Sequence, residues 1–577
     1  MRIALAQLNP TSGDINRNAA KILAAISEAI RAGADIIVTP EMALPGYCIG
    51  DLVEDAGFLV ANERAMLRIA DAARGITAVV GFIDFNLAER NESGAIRRYN
   101  AAAVVRDGRV LQRAHKSLLP SYRYFDDKRY FVPGDVREPV EIPTRAGPRK
   151  LGVSICEDLW DDYYDVKPLA ELVAKGADVL LNINASPFYP GKRRTRHDLI
   201  VRHLAELRKP LAYINTTGAA DNGKNIIAFD GESLIYDQNA RLIAIGPQFT
   251  EALILADVES AMPAPEVPLP AIDRDRELYD ALVMALRDYM QKTGFERAVV
   301  AVSGGIDSAL ALAIAVDALG PVRVAAYNLP SRYNTDTTRA IAERLARALG
   351  VSYGVIPIQQ IDEDVRSVFE KHAHPIACGF TRENLHARIR GLLMMAESND
   401  TGALLISCGN ETEIALGYAT LYGDMCGGVS LIGDLGKLDV YRLARYANAR
   451  HGAEKIPEET FHIRPSAELA ADQFDPFDYW VVAPVVEELV ERRTSPAELV
   501  RLFDERALDD GRFVPDDEGR TVYDKHTTAT FSEVVYDCFR RLRRSVYKRL
   551  QGPPIVAVTE RAFGFDLRET IINGWEG

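Results

Sequence analysis

The chain has 577 residues, enough for two large domains. It carries 68 Lys and Arg against 82 Asp and Glu, a formal net charge of −14, which excludes the basic footprint of a nucleic-acid or anionic-lipid binder. Hydrophobic residues at 47% and charged residues at 26% exclude wholesale disorder, and six Cys without a C-x-x-C pair leave no disulfide framework to expect. The nine His form no H-x-x-x-H pair, so no structural zinc is expected either.

The opening MRIALAQLNPTSGD has a short apolar stretch and no small-residue cleavage pattern, so it does not read as a signal peptide. The longest clean apolar run, Ala309–Val316, is far short of the roughly 20 residues that span a bilayer. A soluble, cytoplasmic chain in a reducing compartment is the expectation.

Residues 1–260 alternate strand-like and helix-like stretches. Arg2–Leu8 reads as an opening strand, Asn18–Ala32 as an amphipathic helix stopped at Gly33, and Asp35–Val38 as a strand running into Pro40 and Glu41. Ala78–Ile83, Ala101–Val105 and Leu151–Ile155 read as further strands. The phrase Gly33-Ala34-Asp35-Ile36-Ile37 returns as Gly176-Ala177-Asp178-Val179-Leu180. This echo is either chance or the mark of two structurally similar halves.

Residues Met262–Pro270, with four prolines in nine positions, suit a semi-extended connector, and we place the domain boundary there, with 1–262, a linker 263–272, and 273–577. Beyond it come a helix Arg276–Lys292, a strand Ala298–Val302, a helix Ser308–Leu319, a strand Val322–Asn328, a helix Thr337–Leu349 and a strand Ser352–Ile358. That alternation predicts an α/β fold with a parallel sheet and helices on both faces. The stretch 509–530, rich in Asp, Gly and Thr, reads as a loop.

Three residues of the first part form a chemical set. Glu41 follows a buried strand, Lys116 lies in His115-Lys116-Ser117, and Cys156 ends a strand just before Glu157 and Asp158. Each has an ordinary reading when taken singly. Together they supply a nucleophile, a base for its proton, and a cation for the oxyanion. The acids at 157 and 158 would raise the thiol pKa, so a nearby Lys is useful.

These residues, with Asn184-Ala185-Ser186-Pro187 late in the domain, resemble the Glu-Lys-Cys triad of the nitrilase superfamily. The resemblance implies an α-β-β-α sandwich and carbon–nitrogen bond cleavage through a thioester. In members that use glutamine it implies substrate contacts from Tyr122, Ser186 and a basic residue just beyond, for which Lys192, Arg193 and Arg194 compete.

The second part carries Ser303-Gly304-Gly305-Ile306-Asp307-Ser308 at a strand-to-helix junction. Glycines let the backbone approach a phosphate, and the helix N-terminus offers free N–H groups. No Lys follows the second Gly, so this is not a Walker loop. Asp307 would repel bare phosphate and makes sense with magnesium between them.

The loop resembles that of the ATP pyrophosphatases. Glu383-Asn384-Leu385-His386-Ala387-Arg388-Ile389-Arg390, Gly409-Asn410-Glu411-Thr412-Glu413, Gly417-Tyr418, Leu421–Met425, Asp434–Lys437 and Tyr547-Lys548-Arg549 narrow the likeness to NAD synthetases, across 296–450. The resemblance implies a Rossmann-like domain with a helical C-terminal part. It implies ATP contacts from Ser303–Ser308, Cys408 and Lys437, and deamido-NAD contacts from Asn384, Arg388, Glu413 and Lys548. Magnesium would be held by Asp307 and Glu413. Cys408 stands where the family has Thr or Ser, and 470–545 is longer than the family pattern.

A thiol amidase fused to an ATP-splitting domain suggests that ammonia is released, shielded from protonation, and passed through the protein. Among ATP pyrophosphatases a nitrilase-type partner points to glutamine-dependent NAD synthetases. The implied ligands are glutamine, ATP and deamido-NAD, and the family implies a homo-oligomer. The alternatives are an AMP-forming amidotransferase for another carboxylate, a carbon–nitrogen hydrolase with a nucleotide-sensing domain, and a non-catalytic nucleotide-binding scaffold.

Overall fold

The computed structural model describes residues 1–92, 94–259, 265–376, 379–466 and 474–575. Residues 262–264 of the proline-rich connector and 470–473 of the long C-terminal segment lie outside the described residues. The chain divides into two compact units, one of residues 1–222 and 227–272, the other of 223–226 and 273–577. No described helix is long and apolar enough to cross a membrane.

The first unit holds two six-stranded sheets. One runs, in spatial order, Ala252–Asp257, Arg2–Gln7, Ile36–Val38, Thr77–Arg90, Ile96–Arg106, Arg109–His115. The other runs Leu242–Ile245, Leu234–Tyr236, Leu211–Asn215, Val179–Asn184, Arg149–Ile155, Val140–Ile142. Each has a parallel centre and antiparallel edges. Their central strands are apolar on both faces, as strands covered from both sides must be. Ile3, Leu5, Ile36 and Val38 meet Val153, Ile155, Val179 and Leu181 between the sheets. The opposite faces are covered by helices: Ile15–Arg31 and Ala56–Ala72 on the first sheet, Pro168–Ala174 and Lys192–Leu207 on the second. The result is the α-β-β-α sandwich.

The echoed phrases occupy equivalent places in the two sheets. Gly33 and Gly176 both take positive φ (+66° and +94°) at a helix end. Asp35 and Asp178 then each accept a backbone N–H from the start of the neighbouring parallel strand, Arg2 at 2.7 Å and Lys150 at 2.9 Å. The backbone N–H of each Asp returns a bond to the carbonyl of the same partner. The repeated Asp therefore fixes strand register in both halves.

The second unit has six parallel strands in the order Ile555–Ala557, Val429–Ser430, Leu404–Ser407, Ala298–Ala301, Val324–Asn328, Ser352–Val355. From Ala298–Ala301 the chain winds outward to one edge, then returns to build the other side from Leu404–Ser407. The order reverses between these two strands, and in such sheets ligands bind at the carboxyl ends beside the reversal. Helices Tyr479–Glu487, Pro496–Asp504 and Thr528–Arg544 form a separate apolar cluster around Phe503, Phe531 and Val535.

Three expectations need correction. The stretch 509–530 contains a helix, Val522–Lys525, and the start of Thr528–Arg544, because Thr521 and Thr527 cap both helices. Pro321–Arg323 is a 3₁₀ turn, so that strand begins at Val324. The last strand stops at Val355 rather than Ile358.

Candidate active sites

In the first unit Glu41, Lys116 and Cys156 come from three strand ends: just after Ile36–Val38, Arg109–His115 and Arg149–Ile155. Glu41 and Lys116 are fully buried, and 3% of Cys156 is exposed. The Lys116 Nζ donates to Glu41 Oε1 at 2.8 Å and to Asp127 Oδ2 at 2.6 Å. Asn100 Nδ2 also donates to Glu41 Oε1 at 2.7 Å, and the Ala185 backbone N–H donates to Oε2 at 2.9 Å. A buried carboxylate with several donors is fixed in place.

Cys156 adopts φ +45°, left-handed for a residue with a side chain, at the turn from strand to 3₁₀ helix. Such a turn is strained unless anchored. The anchor is Asp158, whose Oδ1 accepts N–H groups from Ser117 and Leu118 and whose Oδ2 accepts that of Ile155, all at 2.9 Å. Burial pushes the Asp158 carboxyl up to about 6. The same carboxylate thus ties the Lys116 segment to the Cys156 turn. Gly81 matters for a related reason, since a Cβ there would lie 2.2 Å from the Pro40 carbonyl and 2.5 Å from the Met42 nitrogen.

Burial, then the charge of Glu41, push the Cys156 thiol well above its ordinary value, while Lys116 opposes them. Burial works against the Lys116 charge, but Asp127 and Glu41 outweigh it and hold the ammonium protonated. The resting state is a protonated thiol facing a Glu–Lys ion pair. A free thiolate beside that carboxylate is disfavoured, and the arrangement offers Glu41 as an acceptor for the thiol proton.

Around this set, Tyr122 Oη donates to Glu157 at 2.9 Å, and Tyr164 Oη does so at 3.0 Å. Ser186 is buried and held through its backbone by Asn215. Among the three competing basic residues, Arg193 is tied to Glu232 at 2.6 Å and Arg194 is exposed. Lys192 is half-buried, with its Nζ 4.1 Å from the Trp160 ring centre and 4.9 Å from that of Tyr189. Burial, then the charges of Arg196 and Arg123, pull its ammonium down to about 7.

In the second unit the loop 303–308 lies at the carboxyl end of Ala298–Ala301 and opens helix Ile306–Leu319. Gly304 takes φ +93°, and a Cβ there would stand 2.3 Å from the Thr338 carbonyl. Ser303 Oγ accepts the Gly305 N–H at 3.1 Å, and Ser308 Oγ donates to the Gly305 carbonyl at 3.0 Å. The N–H groups of the first helical turn have no acceptor within the helix.

This loop borders a cavity of about 370 Å³. Its walls include Ser303, Asp307, Asn384, Cys408, Glu413, Lys437 and Lys548. Lys437 Nζ, 2% exposed, reaches Asp307 at 2.6 Å and Glu413 at 3.1 Å. Asn410 caps helix Glu411–Leu416 and donates its Nδ2 to Asp307 at 2.8 Å. Burial is the main cause that lifts Glu413 to about 8, with Lys437 lowering it and Asp307 raising it. Two crowded carboxylates thus compete for one ammonium. Cys408 is held in this wall with its thiol raised to about 12, chiefly by burial.

Asn384 accepts from Thr420 Oγ1 at 2.7 Å, and Lys548 donates to the Gly417 and Ala419 carbonyls at 2.8 and 2.7 Å. Arg388 is the exception. It is exposed, donates to the Leu421 carbonyl at 3.2 Å, and does not line the cavity. Among the described residues no three His, Cys, Asp or Glu side chains are grouped to hold a metal by themselves.

Sequence reasoning missed Asp127, Asn100 and Trp160. Asp127 sits in Tyr124-Phe125-Asp126-Asp127, where nothing in the local pattern separates a buried acid from a surface one. Trp160, four residues after Cys156 on the same turn, could have been suspected as a residue carried with the nucleophile.

Residues 2–264 match the carbon–nitrogen hydrolase family, and residues 278–508 match the NAD synthase family. The second match extends beyond the 296–450 span carried by the motifs. The chain is 35% identical to the glutamine-dependent NAD(+) synthetase of Thermotoga maritima, covering 99% of this chain and 98% of that one. It is 36% identical to that of Synechocystis, covering 99% of each. The solved glutamine-dependent NAD+ synthetase of Acinetobacter baumannii, in complex with adenosine diphosphate, superposes with a TM-score of 0.71 at 32% identity over 100% of this chain and 99% of that one. The chain therefore belongs to the glutamine-dependent NAD(+) synthetase family.

Proposed function

We propose that this protein amidates deamido-NAD to NAD at the expense of ATP, using ammonia from glutamine and yielding AMP, pyrophosphate and glutamate. Residues 1–262 form the glutaminase domain, 263–272 the linker and 273–577 the synthetase domain. The observation that carries the reading is the pairing of a buried Glu41–Lys116–Cys156 set in one unit with a phosphate-type loop on a charged cavity in the other.

In the glutaminase reaction Cys156 attacks the side-chain amide carbon as Glu41 takes its proton, and Lys116 stabilises the oxyanion. The proton goes to the leaving nitrogen, ammonia departs, and water hydrolyses the glutamyl thioester with Glu41 again as base. Tyr122, Ser186 and Lys192 hold the glutamine. Lys192 is the basic residue left for its carboxylate, because Arg193 is taken by Glu232.

In the synthetase reaction the nicotinate carboxylate attacks the α-phosphorus of ATP, and ammonia then displaces AMP before it reaches bulk solvent. The N–H groups of 303–308 receive the pyrophosphate portion. Ser308, Cys408 and Lys437 contact ATP, and Asn384, Arg388, Glu413 and Lys548 hold deamido-NAD. The exposed Arg388 suits a site completed by a second copy, in keeping with a homo-oligomer, and the expected location is the cytoplasm. Asp307 and Glu413 fit magnesium, which takes one or two carboxylates together with phosphate oxygens. Their shared dependence on Lys437 marks a donor set short of positive charge. When bound, magnesium supplies charge neutralisation to the phosphates.

AMP release measured with glutamine, ATP and a panel of carboxylates tests the reading. Release that depends on deamido-NAD and matches NAD formed one to one supports it. Release with a different acid, or ammonia production without AMP when all substrates are present, overturns it.

A further inference from the structure

The ammonium of Lys192 is held in an unusual way for a half-buried cation. It lies over two aromatic faces, with ring centres at 4.1 Å for Trp160 and 4.9 Å for Tyr189. No carboxylate lies within ion-pair distance of it among the described residues; Arg196 and Arg123 act against its charge, and Cys156 and Asp230 favour it less strongly. The neighbouring cations are differently placed: Arg193 pairs with Glu232 at 2.6 Å, and Arg196 with Asp230 at 3.1 Å.

The backbone explains how this arises. Lys192 N–H donates to the Tyr189 carbonyl at 3.1 Å across a turn that Gly191 closes at φ +85°, which brings the two side chains together. Trp160 ends the short 3₁₀ helix that Cys156 begins, and its N–H donates to the Glu157 carbonyl at 2.8 Å. The nucleophile and the ring that faces Lys192 are thus carried on one rigid turn. An acidic partner would hold the ammonium as firmly but would compete with an incoming carboxylate. A ring face attracts the cation and leaves its remaining hydrogen-bond directions open.

Resting on the assignment of Lys192 to the substrate carboxylate, we propose that Trp160 is a positioning residue for glutamine selection. Its ring fixes Lys192 at a set distance from Cys156, and so selects an amide that carries a carboxylate over one that does not. Tyr189 supplies a second ring face at 4.9 Å. Trp160 acts on substrate binding and leaves the chemical step alone.

The test is a double-mutant cycle read as KM and kcat for glutamine hydrolysis by the full chain. The variants are Trp160→Leu, Trp160→Phe, Lys192→Met and Trp160→Leu/Lys192→Met. Losing the ring should raise KM about tenfold while kcat changes less than about threefold. Trp160→Phe, which keeps a ring, should recover most of the loss. On the Lys192→Met background, Trp160→Leu should add no further rise in KM. An equal rise on both backgrounds would make Trp160 a mere packing residue and overturn the proposal, as would unchanged KM in Trp160→Leu when Lys192→Met raises it. Unchanged KM in Lys192→Met would instead overturn the assignment of Lys192, and the proposal with it.

Discussion

The two sites treat charge in opposite ways. At the first, Lys116 and Glu41 are fully buried, and their pairing is complete before any substrate arrives. At the second, Asp307 and Glu413 share the single ammonium of Lys437 on the wall of an open cavity of about 370 Å³. The amide group that reacts is neutral, so the charges around the nucleophile can be paired in advance, with low polarity strengthening each contact, while the glutamine carboxylate is met apart from them at Lys192. A nucleotide triphosphate brings several negative charges, so its site must hold counter-charges that can be re-partnered on arrival. The contrast explains why one site reads as a fixed, buried triad and the other as a cavity-lining set with one ammonium between two acids.

Four changes would break or sharpen this contrast. The largest effect is expected from Asp307→Asn. Losing one of two acids able to hold the metal should reduce AMP formation by about a thousandfold, several kcal/mol of charge stabilisation, while glutamine hydrolysis continues. Persisting AMP release in a coupled assay would remove Asp307 from that role.

Lys116→Met should lower glutamine turnover by about 10²–10³-fold, as loss of an oxyanion donor does. It also strands Glu41 and Asp127 as buried acids, so the first unit should lose about 3–5 kcal/mol in denaturant unfolding. A fully stable, active variant would show the ion pair to be incidental.

Gly81→Ala replaces no catalytic side chain, yet its new methyl would meet the backbone of Glu41 and of both its neighbours. A displacement of about 1 Å can cost about a hundredfold in rate, and that is the expected fall in glutamine turnover. Ammonium-driven synthesis should be unaffected in the same preparation.

The smallest effect concerns pH. Lys192, lowered to about 7, is charged below that pH and neutral above it. KM for glutamine should therefore be flat below pH 7 and rise above it. In Lys192→Arg the guanidinium stays charged and the rise should vanish. A rise that persists in the Arg variant would place the titrating group elsewhere.

Much of this molecule was legible in the sequence because its signals are local. The strand Leu151–Ile155 and the acid-rich turn after it come from adjacent residues, and so does the 303–308 loop. The Gly-Ala-Asp echo proved meaningful because the Asp carboxylate does the same job in both sheets. What was not legible depends on distant pairing. Asp127 and Asn100 gain their roles from strands that close around Glu41 only in three dimensions. Glu157 and Asp158 read as two acids that perturb the thiol. Folding turns Asp158 onto three backbone N–H groups, where it anchors the turn, and Glu157 onto two phenols, from where its charge still raises the thiol. The helical register that put Asn384 on the cavity wall could not tell that Arg388, one turn on, faces outward. The 509–530 stretch looked like loop by composition, but Thr caps, a side-chain effect, start helices within it.

The central claim is that one site makes ammonia and the other consumes it, with separate machinery. Cys156→Ala tests it most directly, by NAD formation measured with glutamine and, in parallel, with ammonium salt. Loss of the glutamine-driven rate with the ammonium-driven rate retained is the predicted result. Loss of both together, or retention of both, would contradict it.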